Sequence, residues 1–146
     1  MFHNTQRGFT LIEMIIVLSV LTTVTFVSLI YFEPVFEQKR HEFFLEQLQR
    51  DFLYAQSYAI NNNTDVFIHI VPYEHRYIVK EGLTNKILTR DYAENIEISR
   101  GTLGYMIKFL PSGNARKSGA LYIKLGDEHY NLIVLLGKGR LYVKKL

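Results

Sequence analysis

The clearest hydropathy feature of the chain is an apolar run near its start. From Met14 to Phe32, 19 consecutive positions carry no charged side chain. As an α-helix this run would extend about 28 Å, close to the thickness of a bilayer's hydrocarbon core. A secretory signal peptide has a shorter apolar stretch that ends in a small-residue cleavage site, and no Ala-x-Ala sequence follows here. The pattern therefore predicts a transmembrane helix over residues 9–33.

A second pattern, with the period of an amphipathic helix, follows Pro34. Proline removes one intrahelical hydrogen bond and crowds the carbonyl four residues before it, so we expect a kink near residues 30–34. The asparagines at 61–63 should end the helix, because Asn tolerates the left-handed backbone of a C-terminal cap. Between these limits, in a predicted helix 35–61, apolar residues recur at spacings of three and four and should pack on a sheet: Phe44, Leu45, Leu48, Phe52, Ala55 and Ala59.

From residue 65 the period of the apolar positions changes to two, which is typical of β-strands. Eight strands are predicted, around residues 66–70, 77–79, 87–88, 96–98, 105–109, 121–125, 130–136 and 141–143. Turns are expected at 111–114, 126–127 and 137–139, so the last three strands should form an antiparallel meander. The predicted fold class is α+β: a long kinked N-terminal helix whose second half packs on an antiparallel β-rich region, 65–146. Residues 34–146 would form one globular domain.

Composition changes this picture mainly through what it excludes. The chain has no cysteine, which excludes disulfide bonds, zinc ribbons and thiol catalysis. The histidines at 41, 69, 75 and 129 lack the spacing of metal ligands, and no nucleophile elbow, P-loop or dinucleotide-binding glycine pattern occurs. No catalytic residue, metal ligand or cofactor is therefore expected, and the sequence predicts a protein that is not an enzyme.

Charge is unevenly distributed along the chain. Residues 9–101 contain eight Lys and Arg against twelve Asp and Glu, whereas residues 102–146 contain eight against two. Such an asymmetry indicates either an anionic partner or a solubilising surface. Under the first hypothesis the last three strands and the turn region before them would bind DNA weakly and without sequence specificity, through the basic residues Arg116, Lys117, Lys124, Lys138, Arg140, Lys144 and Lys145.

Glu13 is the single charged residue among positions 9–32. A carboxylate at the edge of hydrocarbon either sits among the lipid headgroups or meets a partner within the membrane. Its surroundings favour the second interpretation. Residues 7–14, Arg-Gly-Phe-Thr-Leu-Ile-Glu-Met, resemble the class III signal of type IV prepilins and pseudopilins, in which Gly is followed by Phe, three small or apolar residues, and Glu.

This resemblance implies processing and assembly. A membrane peptidase would cut after Gly8, remove the leader 1–8 and methylate the new N-terminal amine of Phe9. Glu13 would then meet the amine of a neighbouring subunit, one helical turn from its own Phe9. The expected partners are the prepilin peptidase and methyltransferase, other major and minor pseudopilins, and the cell membrane.

Three later segments, 52–59, 109–113 and 137–140, resemble the minor pseudopilins of the GspH type, including that of the Gram-positive competence pilus. The resemblance implies a minor pilin that helps to assemble the filament used for DNA uptake. It would be a single-pass membrane protein with its C-terminal domain outside, and would reach the cell surface in the filament. The alternatives are a pseudopilin of a type II secretion system and a single-pass surface protein, although the latter leaves Gly8, Phe9 and Glu13 unexplained.

Overall fold

One long helix begins the structure. The computed structural model describes residues 8–136 and 140–146, apart from the side chains of 30–35. Helix α1 spans Leu11–Asn61, and Asn63 adopts a left-handed backbone, φ 50°, just beyond it. The helix thus ends at the predicted asparagines. The predicted kink falls on positions 30–35, whose side chains lie outside the described residues, so it stays a prediction.

The chain divides into two units, Met1–Arg40 and His41–Leu146. The described part of the first unit is helical from Leu11. Its segment Leu11–Leu29 is long and apolar enough to cross a membrane, with a mean hydropathy of 2.2, and none of it is buried. An exposed apolar helix of this length has the properties of a membrane anchor.

The second unit contains the last part of α1 and all the strands. The strands are β1 Val66–Val71, β2 Arg76–Glu81, β3 Asn85–Asp91, β4 Ile96–Ser99, β5 Met106–Phe109, β6 Gly119–Leu125, β7 Glu128–Val134 and β8 Leu141–Lys145. They form two antiparallel sheets, a first sheet of order β3-β2-β1-β5 and a second sheet of order β4-β6-β7-β8. All eight predicted strands are present, and the last three form the expected meander.

The predicted bounds of β7 were displaced by two residues. Gly126, with φ 58°, lets the chain reverse in two residues, so Leu125 already pairs with Glu128. The strand therefore begins at Glu128 and ends at Val134. Leu135 and Leu136, which were predicted to belong to it, are exposed and lie beyond it. The predicted turn at 137–139 lies outside the described residues.

The core lies between α1 and the two sheets. All six residues of the predicted apolar stripe are buried: Phe44, Leu45, Leu48, Phe52, Ala55 and Ala59. They join one cluster with the inward residues of both sheets, among them Ile68, Tyr77, Ile123 and Leu132. The complete burial of Ala55 and Ala59 shows that the helix backbone closely approaches its neighbours there. The amphipathic pattern had therefore identified the packed face of the helix correctly.

Candidate functional site

The segment that carries the predicted processing site lies at the N-terminus of α1. Thr10 immediately precedes the helix, and its Oγ1 accepts a hydrogen bond from the backbone N–H of Glu13 at 3.3 Å. Thr followed three residues later by Glu is the sequence of a capping box. The carboxylate also lies in the first helical turn, where the helix dipole favours negative charge. Local chemistry therefore starts the helix two residues after Phe9.

Among the residues that the structure describes, nothing packs closely around Gly8. A Cβ atom added to it would meet no atom within 4 Å. Phe9 is likewise exposed, at 77% of its maximum. The open space means that packing of the folded chain does not by itself call for glycine at position 8.

Hydroxyl side chains in the apolar helix hydrogen-bond to the helix itself. Five of them donate to carbonyl oxygens three or four residues earlier, at 2.7–2.9 Å: Ser19, Thr22, Thr23, Thr25 and Ser28. These bonds satisfy the hydroxyl protons without water or a second helix. The hydroxyl groups are therefore compatible with a lipid environment. Unlike these hydroxyl groups, the Glu13 carboxylate has no hydrogen-bond or ion-pair partner within the described residues.

A buried polar network joins the second half of α1 to the first sheet. Asp51 on α1 is buried, and its Oδ2 accepts hydrogen bonds from the Tyr77 hydroxyl at 2.7 Å and from Arg90 Nε at 3.1 Å. Burial, together with the bond to Asp51, raises the pKa of Tyr77 well above its ordinary value. This network ties the helix to β2 and β3. Its only sequence signal was the position of Asp51 directly beside Phe52, on the stripe's edge.

The predicted DNA-binding residues do not form one surface. Lys124 and Lys144 lie on the outer face of the second sheet, with Lys124 paired to His129 and Lys144 to Asn131 in adjacent strands. Arg140 is exposed and lies just before β8. In steps of two along the chain it falls on the same face as Tyr142 and Lys144. Lys124 forms an ion pair with Glu97 at 3.0 Å. Lys138 lies outside the described residues.

Lys145 lies on the opposite face of the same sheet. It pairs with Tyr130 on β7. Leu132 and Val134 lie on the same face of β7 as Tyr130 and point into the core. Its ammonium group forms an ion pair with Glu128, which also accepts a hydrogen bond from Tyr130. These two bonds lower the pKa of Glu128, and the bond to Glu128 raises that of Tyr130 to about 12. Lys144 and Lys145 therefore face opposite sides of the sheet, because adjacent residues of a strand alternate in direction.

Arg116 and Lys117 lie beside the first sheet, next to its edge strand β5. They follow β5 and line a cavity of about 350 Å³ together with Phe67, Leu103, Met106, Ile107 and Lys108. Among the residues that the structure describes, no group of three or more His, Cys, Asp or Glu side chains could hold a metal ion. The part of the chain that the structure describes thus presents an N-terminal motif on an exposed apolar helix and two separate basic surfaces.

Comparison with known proteins agrees with this arrangement. Residues 3–29 match the prokaryotic N-terminal methylation motif. The chain is 25% identical over 142 residues to competence protein ComGD of Bacillus subtilis (strain 168), covering 97% of this chain and 96% of that protein.

Solved structures of two minor subunits have the same fold. The minor pseudopilin EpsH from the type 2 secretion system of Vibrio cholerae matches with a TM-score of 0.56 and 14% identity, covering 71% of this chain and 95% of EpsH. The type IV minor pilin FimU of Pseudomonas aeruginosa (strain PAO1) matches with a TM-score of 0.61 and 14% identity. The match covers 78% of this chain and 92% of FimU. The chain therefore carries the N-terminal methylation motif and has the fold of these two minor subunits.

Proposed function

We propose that this protein is a minor pilin subunit of a competence pilus and helps to assemble the filament used for DNA uptake in transformation. The observation that carries the proposal is the similarity to a competence protein along nearly the whole chain. The methylation motif at the start of an exposed apolar helix supports the filament role, since a prepilin peptidase must reach that motif.

Processing is the first step of the proposed pathway. The peptidase cuts the bond between Gly8 and Phe9, and the new amine becomes methylated. The cut leaves Thr10 and its bond to Glu13 intact, so the helix keeps its N-terminal cap. A cationic amine then stands one turn before Glu13, and in a neighbouring subunit the same amine can pair with this carboxylate.

Mass spectrometry of the protein recovered from cells tests the processing step. We expect a mature chain that begins at N-methyl-Phe9 and lacks residues 1–8. The variant Gly8→Val should keep the fold, because the space around Gly8 is open, yet it should remain unprocessed in the membrane. A wild-type chain that keeps Met1, or a cut near Phe32 that releases the C-terminal domain, would contradict the prediction.

Assembly places the protein in two locations. Before assembly, the helix Leu11–Leu29 holds the subunit in the cell membrane as a single span, with residues 34–146 outside. After assembly, the subunit lies in a filament at the cell surface together with major and minor pseudopilins.

Deletion of the gene separates the proposed function from its alternative. We expect transformation by added DNA to fall sharply, because the filament cannot assemble without a required subunit, while the set of secreted proteins stays unchanged. Expression of the wild-type chain from another locus should restore transformation. Normal transformation together with impaired protein secretion would instead favour the pseudopilin of a type II secretion system. Normal transformation with normal secretion would favour a single-pass surface protein.

A further inference from the structure

The outer face of the first sheet carries a row of basic residues that runs across its strands. Lys86 on β3 pairs with Lys80 on β2, Lys80 pairs with Phe67 on β1, and Phe67 pairs with Lys108 on β5. Partners in antiparallel pairs lie on the same face of a sheet. Phe67 alternates with the buried Val66 and Ile68, which point into the core, so the row faces away from the core.

Arg116 and Lys117 extend this row beyond β5. The backbone N–H of Arg116 donates to the carbonyl of Lys108 at 2.8 Å, which places the segment beside the edge strand. Both side chains are exposed and line the same cavity as Phe67 and Lys108. We call Lys80, Lys86, Lys108, Arg116, Lys117 and Phe67 the basic row.

Most cations of the basic row are available to a ligand. Lys108 forms an ion pair with Asp65 and lies 5.2 Å from the centre of the Phe67 ring. Within residues 8–136 and 140–146, the structure records no ion pair for the other four cations. By contrast, two of the basic residues on the last strands, Lys124 and Lys145, are neutralised by Glu97 and Glu128.

The dimensions and the lining of the row fit a nucleic acid strand. Neighbouring strands lie about 4.8 Å apart, so the four paired positions span about 15 Å, enough for several successive phosphates. The adjoining cavity has an apolar lining from Phe67, Leu103, Met106 and Ile107 beside the cations. A phosphate chain along the cations would place a nucleobase at this cavity, where an aromatic side chain can stack on it.

We propose that the basic row is the surface on which this subunit binds DNA, with an unpaired base in the cavity beside Phe67. The inference rests on the proposed function in DNA uptake and identifies a surface for it. It also moves the site from the last strands to the first sheet, and keeps only Arg116 and Lys117 of the residues that the charge distribution had indicated.

Two variants with equal charge test the assignment. One replaces Lys80, Lys86, Arg116 and Lys117 with Gln; the control replaces Lys124, Arg140, Lys144 and Lys145 with Gln. Each lowers the formal net charge of +3 by four. The full chain in nonionic detergent is titrated with labelled single-stranded and duplex DNA of about 20 nucleotides, at about 50 and 200 mM salt. Circular dichroism confirms that both variants are folded.

We expect the row variant to bind DNA about tenfold more weakly or worse, with a shallower dependence on salt, and the control to change by less than about threefold. Phe67→Leu keeps the cavity apolar but removes the ring. It should weaken binding of single-stranded DNA about fivefold or more and leave duplex binding nearly unchanged. Equal losses in the two charge variants would mean that net charge alone governs binding and would overturn the assignment, as would wild-type affinity in the row variant.

A competitor distinguishes DNA from other polyanions. Inorganic polyphosphate has the charge of a nucleic acid backbone but no bases. If it competes as well as single-stranded DNA at equal phosphate concentration, and Phe67→Leu has no effect, the row is a general polyanion surface and the base-binding proposal is wrong. Weaker competition by polyphosphate supports it.

Transformation assays separate the failure of this inference from failure of the proposed function. If deletion of the gene abolishes transformation but the row variant transforms normally, the function stands and the DNA surface is refuted. If deletion has no effect, the proposed function itself is refuted. We expect the row variant to assemble into filaments and yet to transform about tenfold less or worse, in keeping with its loss of affinity.

Discussion

The variant Glu13→Ala should be recovered in sheared filaments at about a tenth of the wild-type level or less, although it still inserts into the membrane. In an apolar environment, removing the carboxylate leaves the amine of the neighbouring subunit unpaired. Breaking such a pair costs about 3–5 kcal/mol. In the subunit, the carboxylate is exposed and has no partner within the described residues. In the assembly role that we propose, its partner is the N-terminal amine of a neighbouring subunit.

Unlike recovery in filaments, membrane insertion of Glu13→Ala should stay the same or increase. Removing a charge from the end of an apolar helix favours the membrane, by up to about 2–3 kcal/mol at depth. The amount of Glu13→Ala in the membrane fraction should therefore equal or exceed that of the wild type. Both fractions are measured by immunoblotting after the filaments are sheared from the cells.

Glu46→Ala is a suitable control for this experiment. Glu46 lies in the same helix, but outside the predicted span, and its exposed carboxylate pairs with exposed Arg50 at 3.3 Å. An exposed pair of this kind contributes about 0–1 kcal/mol to stability. Recovery of Glu46→Ala in filaments should match the wild type. Equal recovery of Glu13→Ala would refute the assembly role of Glu13.

Asp51→Ala should destabilise the C-terminal unit by about 2–4 kcal/mol, a large part of the stability of a small domain. The change leaves the buried Tyr77 hydroxyl without its acceptor and Arg90 without its carboxylate. The cost lies below that of a fully buried ion pair because the Arg90 side chain is 46% exposed and can be solvated. We expect Asp51→Asn to lose less, since an amide oxygen still accepts the tyrosine proton.

Thermal unfolding of the full chain in nonionic detergent provides the measurement. The chain has ten tyrosines and no tryptophan, so near-ultraviolet circular dichroism reports on tyrosine packing. Asp51→Ala should lower the Tm by about 8–16 °C, because 1 kcal/mol corresponds to about 4 °C in a domain of this size. Glu46→Ala should change it by less than about 3 °C. If Asp51→Ala shifted the Tm no more than this control, the network would have no role in stability.

The sequence alone was sufficient for the secondary structure and for the N-terminal motif. Helix and strand periods are local properties, so the stripe from Phe44 to Ala59 and the eight strands could be recognised without knowledge of their partners. The motif around Gly8 and Glu13 is likewise a short linear segment. A chain with local signals of this strength is expected to have its elements predicted well and its element ends less well, as happened at β7.

The tertiary structure decided which distant residues share a surface. Alternation along a strand identifies two faces, but it does not show which strands become neighbours, or that β4 joins the second sheet. Asp51 met Tyr77 and Arg90 only through packing of the helix on β2 and β3. Strand register brought Lys80 and Lys86 beside Phe67. A shift of one residue in register would move each of these side chains to the opposite face, and register is set by burial of the apolar face and by the turns together, not by any one segment.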